Sequence, residues 1–327
     1  MKPTMQDVAD LAQVSRATVS RVLGDSANVS PHKRALVLEA VQKLGYEPHK
    51  KIRTSPDILM CVSSGYEKDS FYSRIIDGVR LGIRSNRAKL IIEQPKKSLN
   101  GYSFSIAQSV QGVIILGNIE LSDSEYTRLQ KQQIPVVVIN GAAELDNFSY
   151  VVIEERKTMI QVIQELVNLG HQNIAFIHGP KHDLVHQERL RFYKLGLLCS
   201  DLSVNTELIV FAAGKCKSSG YQAAKQLLRT TSPTAVIAAN DQLALGVYDA
   251  LYELGFKVPE DISVVGFGDL EIAQRAEPPL STISVPLLSM GMWAVSILCA
   301  FIRHQKISSI RLSVPTSYVR RQSVSKA

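Results

Sequence analysis

The 327-residue sequence predicts a small all-α helix-turn-helix head followed by an α/β body of two parallel-sheet lobes. Three observations lead there. Three short helical patterns fill residues 4–45, and only Gln13 and Val14 separate the first two. Positive charge is concentrated in the same region. Beyond residue 57 the pattern changes to two successive sets of apolar, strand-like runs with helical stretches between most of them.

The first helical pattern, TMQDVADLA, places Met5, Val8, Ala9 and Ala12 on one face, with Thr4 as its N-cap. The second, SRATVSRVL, opens at Ser15 and carries Val19, Val22 and Leu23 as an apolar stripe. A two-residue link forces a sharp angle between them. The third begins at Ser30-Pro31, a cap followed by proline at the first helical position, and stops at Gly45. Val8, Leu11, Val19, Val22, Val37, Leu38 and Val41 are the expected shared core.

Residues 1–55 hold nine Lys/Arg against five Asp/Glu, so more than half of the net charge of +7 lies in a sixth of the chain. A basic head on a near-neutral body is the footprint of a nucleic-acid-binding module, although a solvated basic face would look the same. In a helix-turn-helix the second helix enters the major groove and its first residues reach base edges. Here those residues are Ser15, Arg16, Ala17 and Thr18, with Ser20 and Arg21 one turn further. Arg16 can pair bidentately with a guanine, and Ala17 and the Thr18 methyl can pack on a thymine methyl. Thr4, Ser15 and Ser30 at helix starts suit phosphate oxygens, and Asn28 ahead of the third helix is a further candidate contact. On a purely structural bundle, Arg16 and Arg21 would be solvated charges.

Residues 46–57, YEPHKKIRTSPD, read as a linker. The expected organisation is a head over 1–46, a linker over 47–57 and a body over 58–327. Strand-like runs lie at 58–64, 90–94, 112–117, 135–141 and 150–155, then at 174–179, 208–213, 235–240, 262–269 and 281–286. Helical patterns occupy 156–170, 217–229 and 241–255. Continuous apolar strands alternating with helices mean parallel sheets covered on both faces. The first lobe is expected over about 58–155 and 286–312, the second over about 156–285 and 313–327. Ligands of such sheets sit at the carboxyl ends of the strands, so the cleft between lobes is the expected small-molecule site.

Composition narrows the function classes. No apolar run approaches the ~18 residues of a membrane helix, and the start lacks the apolar core of a signal peptide, so no membrane association and a cytoplasmic location are expected. Cys61, Cys199, Cys216 and Cys299 are scattered, which suggests neither a zinc site nor a disulfide framework but buried or inert thiols. His178, His182 and His186 recur every four residues, but Gly179-Pro180 breaks any helix between the first two, so no metal site is expected. No G-x-G-x-x-G, phosphate loop or G-x-S-x-G elbow is present, which argues against an enzyme, and no cofactor is implied.

The stretches MQDVADLAQVSRATVSRVL and VSPHKRALVLEAVQKLGYEP closely resemble the N-terminal domain of the lactose-repressor/galactose-repressor (LacI/GalR) family of bacterial regulators. LGHQNIAFIHGP, TAVIAANDQLALGVYDALYELGFKVPEDISVVGFGD and PPLSTISVPLLSMG resemble that family's effector-binding domain. The resemblance implies a periplasmic-binding-protein-like body and a homodimer on near-palindromic, double-stranded operator DNA. It also implies a small effector, a sugar or sugar derivative, that closes the cleft and alters DNA affinity, most often in a repressor. By motif, Arg189 resembles the arginine that holds ligand hydroxyls, with a lobe-surface salt bridge as its alternative. Asn240 resembles a polar ligand contact or a helix cap, with Asp241 beside it. Phe71 and Tyr72 resemble an aromatic wall, Phe71 being equally suited to core packing.

The sequence departs from the family pattern in three places. Gly266-Phe267-Gly268-Asp269 has glycine where an acidic residue commonly binds sugar hydroxyls, and Asp269, the remaining candidate, need not point the same way. Lys215 stands where the family often has an aromatic ring, which suits an acidic or phosphorylated ligand, or a regulator whose effector response has been lost. The linker has no leucine; Ile52 could wedge into the minor groove but Pro56 leaves little room for a helix. Lys50 and Lys51 are either phosphate contacts or part of a tether. Trp293 is expected in core or dimer packing. No leucine heptads follow the run at 312–319, so a dimer rather than a tetramer is expected. A pure solute-binding protein would need a signal peptide and no DNA head, and this chain has the reverse.

Overall fold

The head consists of α1 (Met5–Leu11), α2 (Arg16–Leu23) and α3 (Pro31–Leu44). The computed structural model describes residues 3–23, 29–46, 55–63, 66, 69–98, 100–104, 110–141, 145–304 and 309–327. Asn28, Lys50, Lys51 and Ile52 lie outside the described residues. The chain divides into two units, Met1–Arg53 and Thr54–Ala327.

Local chemistry sets the helix ends of the head. Thr4 and Asp7 form a capping box at α1, and Ser15 Oγ accepts from Thr18 N at 3.1 Å to start α2. Gln13 takes φ 51° in the turn between them. Gly45, at φ 58°, ends α3. Val8, Ala9, Ala12, Val19, Val22, Val37, Ala40 and Tyr46 form the core. Each fully buried valine contributes roughly 1.5–3 kcal/mol, a large share for so small a unit. Leu11 and Leu38, expected in this core, are 49% and 52% exposed. Each lies one residue from a buried position's register, and about 100° of helix rotation per residue carries it off the Val8/Ala12 and Val37/Ala40 faces.

In chain order the body is β1 (Asp57–Val62), α4 (Ser70–Ser85), β2 (Lys89–Glu93), β3 (Lys96–Ser98), β4 (Gly101–Ser103), β5 (Gly112–Leu116), α5 (Asp123–Lys131), β6 (Val136–Ile139) and β7 (Ser149–Glu154). It continues through α6 (Arg156–Asn168), β8 (Ile174–His178), α7 (Leu184–Cys199), β9 (Ile209–Phe211), α8 (Lys217–Thr230), β10 (Ala235–Ala238) and α9 (Asp241–Glu253). It ends with β11 (Ser263–Gly268), α10 (Glu271–Gln274), β12 (Ser281–Ser284), α11 (Leu287–Arg303), β13 (Arg311–Pro315) and β14 (Ser317–Val319).

Two six-stranded sheets result, ordered β13-β7-β6-β5-β1-β2 and β14-β12-β11-β10-β8-β9. All pairings within them are parallel except β12 with β14. The central strands are buried throughout, which is why they read as unbroken apolar runs. Helices α4 and α11 pack closely in the first lobe: a Cβ on Gly78 would lie 2.0 Å from Leu288 O, and one on Gly291 would lie 2.2 Å from Ile75 O. The β3–β4 hairpin was not expected from the sequence.

The chain passes between sheets after β7, after β12 and after β13. The run expected as one strand over 312–319 is two strands in different sheets, and the last passage falls at Thr316 rather than after 312. Thr316 also ties two passages together: its Oγ1 donates to Glu154 O at 3.1 Å, and Thr158 Oγ1 donates to Thr316 O at 3.1 Å.

Candidate functional site

A cavity of about 340 Å³ opens between the two sheets. Most of the residues around it sit near strand ends or in the opening turns of the following helices, where parallel sheets place their ligands. Phe71 and Tyr72 come from the start of α4, Arg189 from α7, Lys215 from the segment before α8 and Asn240 from the cap of α9; all five line the cavity. Phe71 and Tyr72 meet edge to face at 5.8 Å.

Arg189 is 2% exposed and firmly held. Its Nε donates to Glu155 Oε2 at 3.1 Å, its Nη1 donates to Ala239 O at 2.6 Å, and its guanidinium lies 3.5 Å from the centre of the Phe267 ring. It is therefore buried in the cleft and not in a lobe-surface salt bridge. Burial pushes the Glu155 carboxyl up, and the Arg189 charge opposes it. Lys215 Nζ lies 2.5 Å from Asp183 Oδ2, and 5.9 Å from the Tyr72 ring of the other lobe. Burial alone would raise the Asp183 carboxyl, but His186 and Lys215 outweigh it and hold it down to about 2. The lysine thus does not leave an uncompensated positive charge for an acidic ligand. Asn240 caps α9 through Leu243 N at 2.7 Å and donates to Lys215 O at 3.1 Å, so it serves as a cap as well as lining the cavity.

Asp241 and Asp269 are not brought into the cavity wall. Asp241 is fully buried; it accepts from Thr282 Oγ1 at 2.6 Å and Leu270 N at 2.8 Å, and burial pushes its carboxyl up to about 6. Asp269, at φ 55°, turns to Arg321 at 2.5 Å. Gly268, between them in the fold, has φ +131°. A Cβ there would lie 3.2 Å from Asp241 Oδ2 and 3.6 Å from Phe71, so the position that lacks a carboxylate does face the cavity's edge.

The wall also contains residues that the sequence did not mark as ligand contacts, Asn140, His186, Cys216 and Gln242 among them. Asn140 follows directly on the apolar run of β6, a strand-end position that could have marked it. His186 lies three residues before Arg189 on α7 and shares its face. His178 and His186 approach to 5.7 Å between ring centres although no helix links them, whereas His182 is exposed. Among the described residues, no three metal-ligating side chains come together. Cys61 and Cys299 are buried, but Cys199 and Cys216 are exposed, against the expectation of buried or inert thiols. Hydrogen bonds from Ser218 and Ser219 lower the Cys216 thiol to about 7.

In the head, Arg16, Ala17 and Arg21 are exposed and Thr18 and Ser20 half-buried; Ala17, Ser20 and Arg21 lie on the side of α2 opposite the buried Val19 and Val22, with Arg16 and Thr18 on its flanks. Ser15 Oγ and Thr18 Oγ1 are hydrogen-bonded at 2.9 Å. Ser30 accepts from Lys33 N at 3.5 Å. Thr4 N and Thr4 Oγ1 both donate to Asp7 Oδ2, at 2.7 and 2.8 Å, so its donors are spent within the capping box instead of being free for a phosphate.

Residues 4–49 match the model for bacterial regulatory proteins of the lacI family, and residues 163–324 match the periplasmic binding protein-like domain. The regulator CelR of Thermobifida fusca is 31% identical, over 98% of both chains. This chain belongs to the lacI family. Catabolite control protein A of Priestia megaterium is 28% identical to the regulator over 99% of both chains. Among solved structures, a CelR–cellobiose complex superposes with a TM-score of 0.72 at 30% identity, covering 98% of this chain and 99% of that one. A lac repressor dimer bound to operator and an anti-inducer gives 0.71 at 26% identity, covering 99% and 100%. The lacI-family chain is thus a DNA-binding transcriptional regulator and not an enzyme, and no described helix is long and apolar enough to cross a membrane.

Proposed function

We propose that this regulator represses transcription in the cytoplasm as a homodimer on a near-palindromic operator, under the control of a small, carbohydrate-related effector in the interlobe cleft. One observation carries the effector reading. The cavity of about 340 Å³ combines aromatic faces, Phe71 and Tyr72, with hydrogen-bonding groups, Asn140, Arg189, Asn240 and Gln242. Its volume is near the low end of the roughly 300–1,000 Å³ typical of ligand sites. Because Asp183 meets Lys215 and Glu155 meets Arg189, an uncharged polyol suits the cleft better than an acidic ligand. The cellobiose bound by the CelR relative is of that class.

On the DNA side, Arg16, Ala17 and Thr18 are the base-edge readers, supported by Ser15, Ser20, Arg21 and Ser30, with Asn28, Lys50 and Lys51 as further backbone contacts. The operator-bound dimer of the lac repressor supports the dimeric reading. Leu81 on α4 and Trp293 on α11, 39% and 40% exposed, and Leu254 and Phe256 after α9 offer apolar surface for it. Footprinting on DNA flanking the regulator's own gene, with and without a panel of sugars, tests the proposal. A protected near-palindrome whose occupancy one sugar changes by roughly 5–150-fold is expected for a coupling of about 1–3 kcal/mol. A monomeric footprint, or one that no sugar alters, would count against it.

A further inference from the structure

Glu155 is 5% exposed and lies between β7 and α6, at the first passage between sheets. Burying a carboxylate and a guanidinium together costs several kcal/mol of lost hydration per ion, and an apolar pair of the same size is often as stable. The Glu155–Arg189 pair therefore calls for a reason other than stability. Arg189 carries five N–H donors. Two are committed, one to Glu155 and one to Ala239 O, and its plane is pressed against Phe267. Among the described hydrogen bonds the remaining three donors make none, and Arg189 lines the cavity.

We infer that Glu155 is the positioning residue of the effector site: it fixes the Arg189 guanidinium on Phe267 with its unspent N–H edge toward the ligand. This rests on the effector reading above. Because the guanidinium is planar, one bond at Nε and one at Nη1 define its orientation completely. A ligand oxygen then meets donors that are already aligned, and little ordering remains to be done on binding. The same bond ties Arg189 to the side chain of the residue at the first passage between lobes, next to Glu154, whose carbonyl accepts from Thr316 of the third passage.

The test uses the full chain with D-ribose, D-glucose and cellobiose as probes, measured by calorimetry on the wild type, Glu155→Gln and Glu155→Ala. Gln retains an oxygen that can accept from Arg189 Nε and Ala does not. For a sugar that binds the wild type, Glu155→Ala is expected to bind at least 10-fold more weakly, with Glu155→Gln in between. The Arg189 Nε–H resonance, assigned by its loss in Arg189→Lys, is expected to be protected from exchange in the wild type, to move on sugar addition and to be less protected in Glu155→Gln, whose neutral oxygen accepts a weaker bond than the carboxylate; this readout stands if Glu155→Ala does not fold. Equal sugar affinity in all three proteins, or an Arg189 resonance indifferent to Glu155, overturns the inference and leaves the effector reading intact. No binding of any of the three sugars by the wild type overturns the effector reading itself, and this inference with it.

Discussion

Lys215 Nζ and Asp183 Oδ2 are 2.5 Å apart, and this ion pair joins the segment ahead of α8 to the residue that caps α7. Asp183 Oδ1 accepts from His186 N at 3.1 Å while the other oxygen takes the lysine. Its carboxyl is held down to about 2, below the ordinary value of 3.8. A carboxyl depressed in the fold gives stability that is fully present above its unfolded pKa and is lost as pH falls through the folded one. The window here runs from about 4 down to about 2. Lys215→Met removes the cation paired with this carboxylate and is expected to cost roughly 1 kcal/mol at pH 6 and almost nothing at pH 2. Urea denaturation at both pH values checks this. An equal loss at both would mean that the lysine acts through packing alone.

Cys216 is exposed, and its Sγ lies 3.2 Å from both Ser218 Oγ and Ser219 Oγ. Those hydroxyls stabilise the thiolate and bring the thiol down to about 7. Alkylation with iodoacetamide in the native state is expected to label Cys216 first, with a rate that rises through a midpoint near pH 7. The double variant Ser218→Ala/Ser219→Ala is expected to move that midpoint up. Peptide mass mapping that finds Cys61 or Cys299 modified before Cys216 would contradict the burial pattern.

The head was readable from sequence because its signals are local. Caps at Thr4, Ser15 and Ser30, the Gln13-Val14 link and Gly45 all act within four residues. Leu11 and Leu38 were misplaced because hydrophobicity alone does not say which of two neighbouring helix positions faces inward. The body's strands were readable as apolar runs, but the division of 312–319 was not: a chain that changes sheets at Thr316 keeps its composition. Within the cleft, Phe71, Tyr72, Arg189, Lys215 and Asn240 follow strand ends or helix starts, which a motif can mark. The partners that define their electrostatics, Asp183 for Lys215 and Glu155 for Arg189, are 32 and 34 residues away, and such pairings leave no periodicity. Asp241 and Asp269 adjoin Asn240 and Gly268 in sequence yet turn elsewhere, one into the core and one to Arg321.

Arg16 is exposed at the first position of α2, one residue after its cap. A bidentate contact from there to one base pair discriminates by about 1–3 kcal/mol. Selection from randomised duplex DNA is expected to show Arg16→Ala losing preference at one or two positions in each half-site, with the remaining positions unchanged. If every position weakens equally, Arg16 is a phosphate contact, and if none does it is a solvated charge.

Gly268→Asp restores the carboxylate that the family pattern has at this position, and two opposed effects decide its outcome. The backbone at φ +131° is one that side chains rarely adopt, and holding a non-glycine residue there costs on the order of 1–3 kcal/mol. The new side chain would also begin 3.2 Å from Asp241 Oδ2. Asp241 is pushed up to about 6 by burial, so its neutral form is favoured in the fold. Its contribution to stability is therefore fully present below the unfolded value of about 4 and is lost as pH rises through 6. A second carboxylate alongside raises it further. The variant is thus expected to be less stable than the wild type at every pH, with the deficit larger at pH 8 than at pH 5, where the Asp241 proton relieves the repulsion. Thermal melts at the two pH values measure the difference. A deficit independent of pH would place the whole cost in the backbone and show that the introduced carboxylate points away from Asp241 into the cleft.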